Sequence, residues 1–189
     1  MLAAIFNKEI VTNKAACRII GVAAFVILTA LGALVRIPLP FTPVPFTLQT
    51  FFVLLSGAFL GSTLGAVAQA SYILLGVLGL PIFNGASSGI FYLFGPTGGY
   101  IFGFIVAALL AGRFLRYSKN DFLMVFIILC VADLVLLSCG VIWLKLTLGY
   151  PFKRLILIGF IPFIPADLLK AGIAAAIFMR LRKRVREIF

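Results

Sequence analysis

Residues 47–79 read TLQTFFVLLSGAFLGSTLGAVAQASYILLGVLG, without a single charged side chain. They lie inside an uncharged run of 76 residues, from Ile37 to Gly112. A chain exposed to water could not keep so long a run dispersed, so the solvent of this protein is lipid. Composition agrees: 63% of the residues are hydrophobic and 11% are charged, where a soluble domain has about half and about a quarter. Gly57, Gly61 and Gly65 recur at every fourth position through the middle of the stretch. They divide it into two spans, 47–60 and 62–79, and permit close helix approach there.

On either side the apolar pattern breaks into further spans at 17–35, 97–115, 121–144 and 155–180. The reading is an all-α integral membrane protein, a single domain over 1–189 with six transmembrane helices. The basic start and first apolar run resemble a signal peptide, but further spans follow, so the segment is read as a retained first helix. An even number of spans leaves both termini on one side. Lys8, Lys14, Arg18, Arg113, Arg116, Lys119, Arg180, Arg182, Lys183, Arg184 and Arg186 would share that side, against Arg36, Lys145, Lys153 and Arg154 on the other. Basic residues are enriched on the inner side of membranes, so both termini are expected in the cytoplasm.

The net charge of +11 sits in clusters at the ends of spans. That distribution suits anionic lipid headgroups and argues against nucleic acid as a partner. Cys17, Cys130 and Cys139 lie in apolar stretches without a CxxC pair, and the chain has no histidine. Metal and disulfide roles are therefore not expected, and no cofactor is called for. The missing histidine also removes the commonest general base, which argues against an enzyme. No GxxxxGK[ST] motif is present, so the chain cannot itself hydrolyse ATP. The two halves show no repeat of each other.

Two connections on the outer side are unusual. The first, 36–46, reads RIPLPFTPVPF, and its four prolines exclude a helix and favour extended backbone. It is apolar for a loop, which fits a lid folded over the bundle. The second, 80–96, reads LPIFNGASSGIFYLFGP, and its glycines and Pro96 forbid a regular helix before about Thr97. Non-helical backbone at membrane depth survives where protein or a wet cavity satisfies it, so both loops point to one outward-facing cavity.

Three charges fall within spans: Asp133, Asp167 and Lys170. Each costs roughly 2.5–3.5 kcal/mol at a helix centre and needs a partner or a cavity. Pro165 can open a helical stretch, which puts Asp167 in its first turn and Lys170 on the same face. Counting from Arg180, Asp167 lies roughly 20 Å from the inner end, near the two loops. The pair either neutralises itself or holds the polar groups of a small ligand. Asp133 has no companion within its span; it bonds to a neighbouring helix or faces a partner subunit. Gln49, Asn84, Ser87 and Ser88 offer neutral hydrogen-bonding groups. Phe46, Phe83, Tyr92, Phe94 and Tyr100 offer apolar walls suited to a small ligand.

Three motifs taken together are specific. PVPFTLQT (43–50), GPTGGY (95–100) and the PADLLK segment (165–170) resemble the BioY family over about residues 20–185. The resemblance implies a biotin-binding S component of an energy-coupling factor (ECF) importer, in the cytoplasmic membrane of a bacterium. Its partners would be biotin and an energising module of one transmembrane coupling protein and two ATPases. The site it implies draws on Asp167, Lys170, Gln49, Asn84 and Ser87, with the 36–46 loop as lid and Tyr100 in the wall. A solitary carrier of biotin or another small vitamin is the alternative.

Overall fold

A computed structural model describes residues 14–118 and 121–188, with side chains through Arg182. Lys8 and Lys119, and the side chains of Lys183, Arg184 and Arg186, lie outside the described residues. The described chain is mostly helical. Helix α1 covers Lys14–Leu34, and a two-rung hairpin follows, β1 Arg36–Ile37 with β2 Phe46–Thr47. Helix α2 covers Gln49–Val77, the one-turn α3 Ile90–Leu93, α4 Gly98–Leu115 and α5 Phe122–Leu148. Helix α6, Phe152–Gly159, leads through a 3-10 turn at Ile161–Phe163 into α7, Ile164–Ile188.

Helix α2 is not straight. Gly61 stands at φ 80° and ψ −179°, a conformation that breaks the helical ladder and that only glycine adopts readily. In a straight helix Gln49 and Tyr72 would be about 34 Å apart; here the Gln49 amide donates to the Tyr72 hydroxyl at 2.7 Å. The arms 49–60 and 62–77 therefore lie side by side. Gly65 meets Gly57 across the fold-back so tightly that a Cβ on Gly65 would come 2.9 Å from Gly57 Cα. Buried hydrogen bonds hold the arms to each other and to α1: Gln69 donates to Ser56 at 3.0 Å and to Thr29 at 3.3 Å. In a low-dielectric core these satisfied amide and hydroxyl groups fix the register of three helical segments.

Among the described residues, five helical stretches are long and apolar enough to cross a membrane: Lys14–Leu34, Gln49–Val77, Gly98–Leu115, Phe122–Leu148 and Phe152–Arg182. Their outward faces carry large apolar side chains such as Ile27, Leu31, Val131, Ile142 and Ile173. The small residues face inward: Ala107, Ala108 and Ala111 of α4, and Ala171, Ala174 and Ala175 of α7, are fully buried. Small residues at helix contacts, with large ones facing out, are the packing pattern of a bundle in lipid.

Element boundaries differ from the sequence expectation at several points, the extension of α7 to Ile188 among them. Helix α5 runs on to Leu148, because Lys145 bonds the carbonyls of Gly149 and Tyr150 and Gly149 supplies a left-handed cap. The 80–96 loop contains one helical turn, Ile90–Leu93, fitted between Gly89 and Gly95. The last apolar stretch is broken at Phe160, ahead of Pro162 and Pro165.

Candidate substrate-binding site

The start of α2, the start of α4, the middle of α5 and the start of α7 converge on one pocket. It encloses about 520 Å³ of unfilled space, counting its open mouth. The 36–47 hairpin closes one side: β1 pairs with β2 in the register Arg36–Thr47 and Ile37–Phe46, which turns Val44 and Pro45 into the pocket wall. Asn84 and Tyr92 of the second loop form another wall. Phe104, Leu136, Leu137 and Phe163 complete an apolar lining.

The polar centre of the pocket is the first turn of α7. Lys170 Nζ lies 2.8 Å from Asp167 Oδ1, one helical turn away. The ammonium also donates to the Thr47 carbonyl at 2.7 Å and to the Thr50 hydroxyl at 2.9 Å. Thr50 in turn donates to Asp167 Oδ1 at 3.2 Å. An ammonium has three donors, so Lys170 is fully engaged by protein. Its charge also sits 4.2 Å from the centre of the Phe46 ring, which stacks on Phe163. Two acceptors in this lining remain open: Asp167 Oδ2 and Asn84 Oδ1 are buried and have no hydrogen-bond partner. A buried acceptor without a donor costs about 1–3 kcal/mol. The pocket therefore favours a ligand that brings N–H or O–H groups to these two points.

Gln49 lines the pocket, with its amide held on both sides. The Thr47 hydroxyl donates to its oxygen at 3.3 Å, and its nitrogen donates to Tyr72, whose hydroxyl donates to the Ile82 carbonyl at 2.9 Å. This chain of bonds ties the second loop to the base of the hairpin. Tyr100 presents its ring, while its hydroxyl is occupied by the Gly159 carbonyl at 2.6 Å.

Ser87 and Ser88 are not among the lining residues. The Ser87 carbonyl accepts from Phe83 N–H at 3.0 Å, forming a bridge that closes the tight turn through Gly85 and Ala86. That turn directs Asn84 into the pocket and leaves Ser87 outside it. Phe94 is exposed, and Phe83 lies behind the wall, stacked on Tyr92. Asp133 is buried one turn of α5 from Leu136 and Leu137 and is not among the lining residues; its Oδ1 has no partner. Thr47, Thr50, Thr97 and Phe163 were not singled out from the sequence. Thr50 stands three positions after Thr47, but nothing local links either to a carboxylate more than 110 residues away.

The BioY family model matches residues 7–187. This chain belongs to the BioY family. A protein of Thermotoga maritima named biotin transporter BioY is 41% identical, over 88% of this chain and 96% of its own. A Pyrococcus horikoshii protein named probable biotin transporter BioY is 42% identical, over 85% of this chain and 93% of its own. Among solved structures, the S-component for biotin from an ECF-type ABC transporter superposes with a TM-score of 0.85 at 27% identity. That match covers 90% of this chain and 93% of the other. The BioY chain described here is accordingly an α-helical, multi-pass membrane protein of a transporter family.

Proposed function

We propose that this chain binds biotin in the pocket between the proline-rich hairpin and α7, and serves as the substrate-binding subunit of an ECF-type importer. The observation that carries the reading is the pair of open acceptors, Asp167 Oδ2 and Asn84 Oδ1, within apolar and aromatic walls. The cyclic urea of biotin carries two N–H donors, one for each acceptor. The thioether ring and the methylene chain suit Tyr92, Phe104, Leu136 and Phe163. Lys170 holds the Asp167 carboxylate in place. The names of the relatives support the choice of substrate.

The chain crosses the cytoplasmic membrane six times, the two arms of α2 counting as two crossings, with both termini inside. The distribution of basic residues supports this orientation, and it opens the pocket to the outside. The 36–46 hairpin acts as a lid over bound biotin. Energy comes from a separate module of a transmembrane coupling protein and two ATPases, since the sequence lacks a Walker motif.

Titration calorimetry with biotin on the detergent-purified chain tests the assignment, with an Asp167→Asn, Asn84→Ala double variant and a Ser87→Ala control. Binding that is lost in the double variant and kept in the control supports it. Failure of the intact chain to bind biotin overturns the substrate. Unchanged affinity in the double variant overturns the site.

A further inference from the structure

At the end of the bundle opposite this pocket lies a second, larger cavity, with about 1500 Å³ of unfilled space counting its open mouth. Arg18 of α1, Arg116 after α4 and Arg182 of α7 line it, around the fold-back residues Gly61, Ser62 and Thr63. The carboxylates with described side chains, Asp121, Asp133 and Asp167, are absent from that lining. Among the described residues the cavity thus gathers three positive charges and no negative one. Arg182 is built into the wall: it is 4% exposed, it donates to the Ser118 carbonyl at 2.7 Å, and it lies 5.5 Å from the Phe178 ring centre. Ser62 and Thr63 open the second arm of α2. The first N–H groups of a helix lack intrahelical acceptors and attract anions.

An apolar groove continues from this cavity between α1 and the second arm of α2, lined by Ile19, Val26, Val67 and Leu75. Arg18 and Leu64 border both spaces. A basic cavity at a bundle end, continuous with an apolar groove on the outer face, fits a ligand with an anionic head and a hydrocarbon tail. We infer that this is a binding site for one anionic phospholipid. Its phosphate sits between Arg18 and Arg116 at the start of the second arm, with Arg182 held in the wall behind them, and an acyl chain lies along the α1–α2 groove. The site is separate from the substrate pocket and independent of what that pocket binds.

Native mass spectrometry of the full detergent-purified chain tests this, by titration with phosphatidylglycerol, phosphatidylcholine and inorganic phosphate. The proteins compared are the unchanged chain, an Arg18→Gln, Arg116→Gln double variant, and Lys153→Gln as a basic residue outside the cavity. Phosphatidylglycerol should bind the unchanged chain and the Lys153 variant at least about tenfold more tightly than phosphatidylcholine, and that preference should vanish in the double variant. Equal binding of the two lipids by the unchanged chain, or a preference kept in the double variant, overturns the site. Displacement of phosphatidylglycerol by an equal concentration of inorganic phosphate overturns the lipid and leaves a free-anion site. If the double variant does not elute as a single species, Arg116→Gln alone is read by the same criteria.

Discussion

Lys170 Nζ lies 2.7 Å from the carbonyl oxygen of Thr47, a contact that joins the last helix to the closing strand of the proline-rich hairpin. One ammonium thereby connects three parts of the site: the Asp167 carboxylate, the Thr50 hydroxyl at the start of α2, and the hairpin backbone. The hairpin and the Asp167 carboxylate are mechanically one unit.

Removing that ammonium should destabilise the fold as well as the site. Lys170→Ala leaves Asp167 buried without its cation, a change that costs about 3–5 kcal/mol. An Asp167→Asn, Lys170→Met double variant removes both charges and should recover most of that loss while still failing to bind biotin. Thermal unfolding in detergent, run beside biotin calorimetry, separates the two effects. A double variant less stable than Lys170→Ala would contradict the ion-pair account.

Asn84 and Ser87 make a matched comparison within one turn. Asn84→Ala removes an open acceptor inside the pocket and should weaken biotin binding by about 1–3 kcal/mol, roughly 5- to 150-fold. Ser87→Ala keeps the backbone bridge to Phe83 and should leave the affinity as it was. Equal losses in the two would mean that the loop acts through its shape and not through the Asn84 amide.

The fold-back depends on Gly61. A methyl group there meets nothing within 4 Å, so the cost of Gly61→Ala is purely conformational. Holding alanine at φ 80° and ψ −179° should cost about 1–3 kcal/mol. A lowered unfolding temperature with unchanged biotin affinity is expected, since Gly61 lies at the opposite end from the pocket. Wild-type stability would show that the turn adopts another conformation.

Gln69 bonds Thr29 and Ser56 where water cannot replace either. Gln69→Leu leaves those hydroxyls without the amide and should destabilise the bundle by about 1–3 kcal/mol. Chemical denaturation in mixed micelles would measure this, with biotin binding of the folded fraction unchanged. A neutral result would mean that the hydroxyls are satisfied by their own helices, to which Thr29 and Ser56 already donate at 2.7 Å.

Reconstitution in liposomes addresses the energising partner. The chain alone should bind biotin without concentrating it inside the vesicles, and adding the coupling protein and ATPases should start uptake. Concentrative uptake by the chain alone would favour a solitary carrier.

Hydropathy and charge belong to single residues and short windows, so they were readable before any coordinates. The lipid solvent, the division of the uncharged run at Gly61, and the shared face of Asp167 and Lys170 all follow from spacing along the chain. The same local logic failed at the end of α5, where Lys145 bonds the terminal carbonyls and lets the helix continue. It failed again at Ser87, which is as polar as Asn84 and three residues away, yet faces out of the pocket because of the turn through Gly85 and Ala86. The two distant partners of Lys170 could not be read from sequence. Thr47 and Thr50 stand 123 and 120 residues before it, and their approach depends on how the arms of α2 pack against α4 and α7. Only the tertiary structure decided which acceptors were left open, because satisfaction of a buried polar group is settled by neighbours that the chain brings together from a distance.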